Sequence, residues 1–279
     1  MSSALAAAVG TVDELDVERI RSLELPIDRA SAYVVTLDGG VLFPKHDYRI
    51  EITRACGRME SAITGNFIRL SRQFSPLLNQ QILSLSEDFR RSGKSTLVLC
   101  DDGIGTGGTF RRIIELCRSL QLPVGNVIAL TNPHALAEVA DVPVLTLDPV
   151  RSKFAWLNER DLFWGLPRSG LSVSEAHQFR AVGGVPYTLN EAIAEERIGI
   201  PELSVSTFIE ASLAINRDFY ALHERQVGRE INFGEIPRLA CLFDRGVVEE
   251  QRVMRALERL LRDRDYRRLA LKREIEVDD

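Results

Sequence analysis

Two adjacent carboxylates followed by a glycine-rich turn could do the most chemistry in this chain. Asp101 and Asp102 come directly after the apolar run Leu97–Cys100, and the turn Gly103–Thr109 follows them. Glycines let backbone N–H groups approach an anion closely, and the start of a helix presents unpaired N–H groups with a partial positive charge. Threonine hydroxyls add donors that stay protonated at neutral pH. The turn therefore predicts a phosphate-binding site.

The carboxylates need a different partner, because two negative side chains would repel a phosphate. They can accept hydrogen bonds from a vicinal diol such as that of a ribose, or hold a Mg²⁺ ion that bridges to phosphate oxygens. Asp102 and Thr106 stand one short turn apart in the sequence. One segment can therefore bind a sugar at one end and its 5′-phosphate at the other.

This segment, Leu97–Thr109, closely resembles the thirteen-residue signature with which type I phosphoribosyltransferases bind phosphoribosyl pyrophosphate (PRPP). The resemblance implies that Asp101 and Asp102 are catalytic carboxylates that hold the ribose hydroxyls, and that Mg²⁺ is the cofactor, bound through PRPP and these two acids. It also implies that the turn binds ribose 5-phosphate through Gly103, Gly105, Thr106, Gly107, Gly108 and Thr109. The plainer alternative is a buried strand that ends in an ordinary glycine-rich turn.

Type I phosphoribosyltransferases also carry a pyrophosphate-binding loop after an early strand. Asp38, Gly39 and Gly40 resemble that loop, with a simple strand-end turn as the alternative. The segment Gly165–Gly170 is a second candidate, because Arg168 could hold phosphate oxygens through two nitrogens. It follows the signature rather than preceding it, so it could instead belong to a hood over the base.

Alternating strand and helix patterns surround the signature. Apolar runs predict strands over 32–37, 96–100, 127–130 and 142–147. Three- and four-residue spacings predict a largely helical segment over 57–91 and a helix over 108–121. The series predicts an α/β fold, a parallel sheet flanked by helices, in which ligands bind beyond the carboxyl ends of the strands.

The pattern changes near residue 150. We expect a phosphoribosyltransferase-like core over 1–150, then a hood and a mostly helical C-terminal extension over 151–279, with helices at 202–225 and 246–273. Arginines crowd the last helix but alternate with acids, which is typical of a solvated face; a nucleic-acid-binding helix is the alternative. The runs Gly184–Tyr187 and Arg197–Glu202 resemble phosphoribosyltransferase-like proteins of bacterial stress and conflict gene clusters.

Composition narrows the class of protein further. The chain has 279 residues, of which 45% are hydrophobic and 27% charged, as in ordinary globular proteins. Its net charge of −5 gives no overall case for nucleic acid or for an anionic membrane surface. Four scattered cysteines predict reduced thiols in a cytoplasmic protein, and neither an export signal nor a run of membrane-spanning length is expected.

Two functions are open at this point. The first is an enzyme that transfers phosphoribose between PRPP, or a nucleotide, and a nitrogenous base or other small molecule. The second is a sensor of PRPP or a nucleotide, acting as a regulator or an assembly subunit without catalysis. Either would have a small-molecule partner, and a homodimer is compatible with both.

Overall fold

The structure is a computed structural model that describes residues 17–22, 24–37, 42–59, 62–72, 75–148, 162–166, 171–175, 183–185, 202–236, 252–262 and 275–276. The chain divides into two compact units. The first unit contains Glu14–Thr53 and Arg69–Phe154, and the second contains Met1–Asp13, Arg54–Ile68 and Ala155–Asp279.

The described helices are α1 (Val17–Arg21), α2 (Leu78–Ser92), α3 (Gly108–Ser119), α4 (Glu202–Val227) and α5 (Val253–Arg262), with a 3₁₀ turn at Phe233–Glu235. The described strands are β1 (Ala32–Thr36), β2 (Tyr48–Arg49), β3 (Ile52–Met59), β4 (Ala62–Ser71), β5 (Thr96–Gly103), β6 (Val124–Thr131), β7 (Glu138–Val139), β8 (Val142–Thr146), β9 (Leu171–Glu175), β10 (Gly183–Val185) and β11 (Ile275–Glu276).

The first unit is built on a six-stranded sheet in the order β2-β1-β5-β6-β8-β7. All neighbouring pairs are parallel except β7 with β8, which is antiparallel. All five residues of β1 are buried, as are the four apolar residues that begin β5 after Thr96. Continuous apolar runs suit strands covered on both faces. The predicted α/β class and the four predicted strands are confirmed, with bounds shifted by a few residues, and the sheet is mostly rather than wholly parallel.

Helices α2 and α3 bury their apolar stripes in the same hydrophobic core. Helix α2 contributes the buried side chains of Leu78, Ile82, Leu85 and Phe89, and α3 contributes those of Phe110, Ile113, Ile114 and Cys117. Burial of a large apolar side chain stabilises the fold by about 1.5–3 kcal/mol. This burial fixes the position of α3, and with it the turn that leads into the helix.

The predicted helix over 57–91 is wrong for most of its length. Strands β3 and β4 occupy Ile52–Met59 and Ala62–Ser71, and in the described part of this segment only Leu78–Ser92 is helical. The apolar spacing of three and four residues occurs in strands as well as in helices. Ile63 and Thr64 are β-branched, and such side chains favour strands.

The second unit contains a five-stranded sheet, in the order β10-β9-β3-β4-β11, and the helices α4 and α5. Helix α4 confirms the prediction for 202–225, and α5 covers the described part of the region predicted helical over 246–273. Asn216 is fully buried on α4. Its side chain accepts a hydrogen bond from Trp164 N at 2.7 Å and donates to Leu162 O at 2.6 Å and to Ser212 O at 2.8 Å.

Two cysteines of the first unit are free and buried, Cys100 on β5 and Cys117 on α3. Burial raises the pKa of the Cys117 thiol to about 12, so the thiol stays protonated at neutral pH. In the part of the chain that the structure describes, no helix combines the length and the apolar character needed to cross a bilayer.

Candidate functional site

The acid pair stands where β5 leaves the core. Leu97, Val98, Leu99 and Cys100 have no exposed surface, whereas Asp101 and Asp102 are partly exposed. Both aspartates belong to the strand itself, which extends to Gly103, three residues beyond the predicted end. The buried run fixes the strand, and the strand presents the two carboxylates at its carboxyl end.

This strand end lies at the topological switch point of the sheet. Strand β5 pairs with β1 in parallel, and Leu37 N donates to Cys100 O at 2.8 Å just beyond β1. Strand β2, which follows β1 in the chain, lies on the side of β1 away from β5. Strand β6, the next strand after β5, lies on the side of β5 away from β1. The carboxyl-terminal loops of β1 and β5 therefore diverge, and open α/β sheets bind ligands in the crevice that such a divergence leaves.

The neighbouring strand β6 holds the backbone around the acid pair. Asp101 is paired with Ala129 and Gly103 with Thr131. Thr131 has no exposed surface; its hydroxyl donates to Asp102 O at 3.4 Å, and its carbonyl accepts from Ile104 N at 2.9 Å. Asp102 N also donates to Asp101 Oδ1 at 3.0 Å, so the Asp101 carboxylate lies beside the peptide that follows it. These contacts fix both acids relative to the sheet.

The turn after the acids is anchored at both ends and exposed in the middle. Ile104 is 1% exposed and packs in the core, whereas Gly105 and Thr106 are exposed. Gly107 has a φ of +74°, and a Cβ at this residue would lie 2.7 Å from Val139 Cγ2. Both the left-handed backbone and the close approach require glycine. The exposed middle leaves the hydroxyl of Thr106 accessible to a ligand.

Helix α3 begins at Gly108 without a side-chain cap. Its N-cap residue, Gly107, makes no side-chain hydrogen bond, and no acidic residue occupies the first turn. The first helical hydrogen bond runs from Arg111 N to Gly107 O at 2.9 Å. Gly108 and the partly buried Thr109 thus belong to a helix start whose N–H groups point along the axis with a partial positive charge. This geometry suits an anion.

Arg69, which no sequence motif singles out, lies at the same helix start. A Cβ on Gly108 would lie 2.6 Å from Nη2 and 3.1 Å from Cζ of Arg69, so the guanidinium packs against this glycine. Arg69 is near the end of β4, far from the signature in the sequence, and its side chain is partly buried. Only the fold brings a cation to the predicted phosphate-binding turn.

The predicted pyrophosphate residues, Asp38, Gly39, Gly40 and Arg168, lie outside the described residues. Leu37, the residue before the first of them, is described and buried beside β5. The six turn residues and the two aspartates of the predicted ribose 5-phosphate site form one continuous segment, from the end of β5 to the first turn of α3.

The acid pair has the chemistry to bind a magnesium ion that is also bound by a ligand. Mg²⁺ prefers oxygen ligands and is commonly bound by one or two carboxylates together with substrate phosphates. Asp101 and Asp102 supply such carboxylates beside the turn. Within the described ranges, no group of three or more His, Cys, Asp or Glu side chains could hold an ion.

The site contains a carboxylate pair at a switch point, an exposed glycine-rich turn, an uncapped helix start and an arginine packed against it. Carboxylates can bind hydroxyl groups, and the helix start with its arginine can bind an anion. The segment therefore offers hydrogen-bond acceptors at its strand end and hydrogen-bond donors at its helix start. No protein-family model matches the chain, and no curated protein is significantly similar to it.

Proposed function

We propose that this chain is a phosphoribosyltransferase with a type I phosphoribosyltransferase fold, a core followed by a hood and a helical C-terminal extension. It would bind Mg²⁺ and PRPP, or a nucleotide, and transfer phosphoribose to or from a nitrogenous base or similar small molecule. One observation carries the proposal. A carboxylate pair at the switch point between β1 and β5 is joined by a single turn to an uncapped, acid-free helix start.

Asp101 and Asp102 accept hydrogen bonds from the ribose hydroxyls and so fix the sugar ring. Their negative charge also favours the positive charge that develops on the ribose as the reaction proceeds. The amides of the turn and of the α3 start hold the 5′-phosphate, together with the hydroxyls of Thr106 and Thr109. A bound Mg²⁺ would neutralise part of the negative charge of the pyrophosphate.

Transfer exchanges one bond at the ribose C1 for another. The C1–O bond to pyrophosphate breaks, and pyrophosphate leaves with the electron pair. A nitrogen lone pair of the acceptor forms the new C1–N bond, and the nitrogen then releases its proton to solvent. The reverse sequence removes the base from a nucleotide, and it needs the same two ends of the site.

Titration calorimetry of PRPP with Mg²⁺ tests this function. We expect micromolar binding to the wild type and a loss of about a hundredfold or more in Asp101→Asn/Asp102→Asn, because two charge-assisted hydrogen bonds are weakened. The control is Asp141→Asn, which neutralises an exposed carboxylate in the β7–β8 turn. Asp141 has a φ of +58°, a conformation that asparagine also adopts readily, so this control should fold and bind normally.

A screen for pyrophosphate release in the presence of nucleobases then separates transfer from sensing. Release that depends on both a base and the acid pair supports the enzyme. Tight PRPP binding without release from any acceptor would favour the sensor. Absence of PRPP binding by the wild type would overturn the transferase and leave a sensor of nucleotides as the alternative.

A further inference from the structure

A single asparagine side chain closes the β6–β7 loop (residues 132–137). Oδ1 of Asn132 accepts a hydrogen bond from Leu136 N at 3.0 Å, and Nδ2 donates to Leu136 O at 2.8 Å. Nδ2 also donates to Thr146 Oγ1 on β8 at 3.3 Å. An amide is suited to this position because it offers an acceptor and a pair of donors together. Asn132 therefore fixes both backbone groups of Leu136 and ties the loop to the sheet.

The β6–β7 loop and the strand that follows it bring two apolar side chains to the glycine-rich turn. A Cβ at Gly107 would lie 2.7 and 3.3 Å from the two methyl carbons of Val139 and 3.5 Å from Leu136 Cδ1. Val139 is buried, and Leu136 packs against the same hydrophobic core. Protein interiors are close-packed, so side chains at this distance restrict the movement of the backbone beside them. Leu136 and Val139 thus support the turn at Gly107.

The residue before the loop supports the start of the same turn. Thr131 is buried, and its carbonyl accepts a hydrogen bond from Ile104 N at 2.9 Å. The turn is thus held near its start by the end of β6 and near its end by Leu136. Asn132 stands between these two supports in the chain, and its hydrogen bonds set one relative to the other.

We propose that Asn132 is a positioning residue of the candidate site, which orders the turn Gly105–Gly107 before the ligand binds and acts through Leu136 and Val139. A turn that is already ordered loses less conformational entropy on binding, so the affinity is higher. The inference rests on the proposed function for the identity of the ligand, but not for the order of the turn. No sequence pattern indicates this role, because asparagine before proline is typical of an ordinary turn.

NMR relaxation of the ligand-free protein tests the order of the turn directly. The backbone order parameters of Gly105–Gly107 should be about 0.8 in the wild type and should fall below about 0.6 in Asn132→Ala. The values for Leu97–Cys100, in the buried part of β5, should stay unchanged, which separates a local loss of order from general destabilisation. Addition of Mg²⁺ and PRPP should raise the Gly105–Gly107 values of the variant again.

Titration calorimetry with Mg²⁺ and PRPP measures what this order contributes to affinity. Asn132→Ala should weaken binding at least tenfold, because binding must then also order the turn. The matched control is Asn79→Ala, which removes the same amide group from an exposed position on α2. This control should bind PRPP within twofold of the wild type.

Leu136→Ala tests whether Asn132 acts through its neighbour. This variant removes the side chain beside Gly107 and leaves the Asn132 side chain in place. It should weaken PRPP binding as Asn132→Ala does, and the double variant should bind little worse than either single variant, because both changes break the same connection. Losses that multiply in the double variant would overturn the inference.

The outcomes separate this inference from the proposed function. If Asn132→Ala keeps the wild-type affinity and order parameters, while Asp101→Asn/Asp102→Asn loses PRPP, the role of Asn132 is wrong and the function stands. If the wild type does not bind PRPP, the transferase is overturned, and the order parameters of Gly105–Gly107 alone decide whether Asn132 orders the turn. Should Asn132→Ala fail to fold, as judged by circular dichroism, the affinity and order parameters of Leu136→Ala decide.

Discussion

Three glycines within four residues of the turn differ in the space that a Cβ atom would find at each of them. Around Gly105 a Cβ would meet no atom within 4 Å. At Gly107 it would meet Val139 at 2.7 Å, and φ is +74°. At Gly108 it would meet the Arg69 guanidinium. Gly105 therefore tolerates a side chain, Gly107 is needed to maintain the fold, and Gly108 leaves room for the side chain of Arg69.

Gly107→Ala should destabilise the protein by about 2–4 kcal/mol, because the left-handed backbone and the overpacking against Val139 both cost free energy. The control, Gly105→Ala, should stay within about 0.5 kcal/mol of the wild type. Urea denaturation followed by circular dichroism measures both. Equal stability of the two variants would mean that the turn does not hold the conformation described above.

At the scale of single residues, the sequence predicted that Asp101 and Asp102 lie at a strand end, but not that Arg69 lies beside Gly108. Asp101 and Asp102 were predictable because their position after a buried run places them at a strand end. An arginine near the end of a strand gives no such indication, since most arginines on strands face solvent. Its place beside Gly108 comes from tertiary packing within the first unit, which a sequence pattern does not show.

At the scale of elements, long apolar runs were easier to interpret than spaced apolar residues. The continuous apolar run in β5 is typical of one arrangement, a strand buried on both faces. The segment 57–91 has apolar residues at spacings that strands and helices share, and its β-branched residues decided for strands over Ile52–Met59 and Ala62–Ser71. Sheet order was not predictable from pattern, because it depends on which strands pair over long separations.

The buried Asn216 on α4 leads to a prediction for the second unit. Asn216→Ala would leave Trp164 N and Leu162 O without their partner in the core, at a cost of about 2–4 kcal/mol. The control is Arg217→Gln, whose side chain is half exposed and pairs with its neighbour Asp218. That variant should change stability by less than about 0.5 kcal/mol.

The fluorescence of the buried Trp164 can measure this unfolding, since the chain has only one other tryptophan, which Trp156→Phe removes. Equal unfolding midpoints for the Asn216 and Arg217 variants would show that the three hydrogen bonds of Asn216 contribute nothing to the second unit.

At the scale of the whole molecule, the net charge and the pairing of arginines give no case for binding to a nucleic acid. The chain has a net charge of −5. The arginines at the ends of α5 are offset by acids: Arg252 bonds Glu224 at 2.6 Å and Glu230 at 2.8 Å, and Arg262 lies 3.9 Å from Glu258. Hydrogen bonds from Arg252 hold the pKa of Glu224 below its usual value, so this pair stays ionised at neutral pH.

We therefore expect no binding of a 20-base-pair duplex at about 150 mM salt, since non-specific affinity comes from neutralising phosphates with accessible lysine and arginine. Fluorescence anisotropy with labelled DNA and RNA measures this. Tight binding that weakens steeply as salt is raised would contradict the prediction and would favour the regulator over the enzyme.

Because Arg69 packs against Gly108, the residues that are tolerated at one of the two positions should depend on the residue at the other. In a library randomised at both and sorted for folded protein, larger residues at position 108 should be recovered mainly with a residue shorter than arginine at position 69. A sequence search with the thirteen-residue segment detects Gly108 but not Arg69, which packs against it. A motif that covers only Leu97–Thr109 therefore leaves out a residue that packs against its helix start.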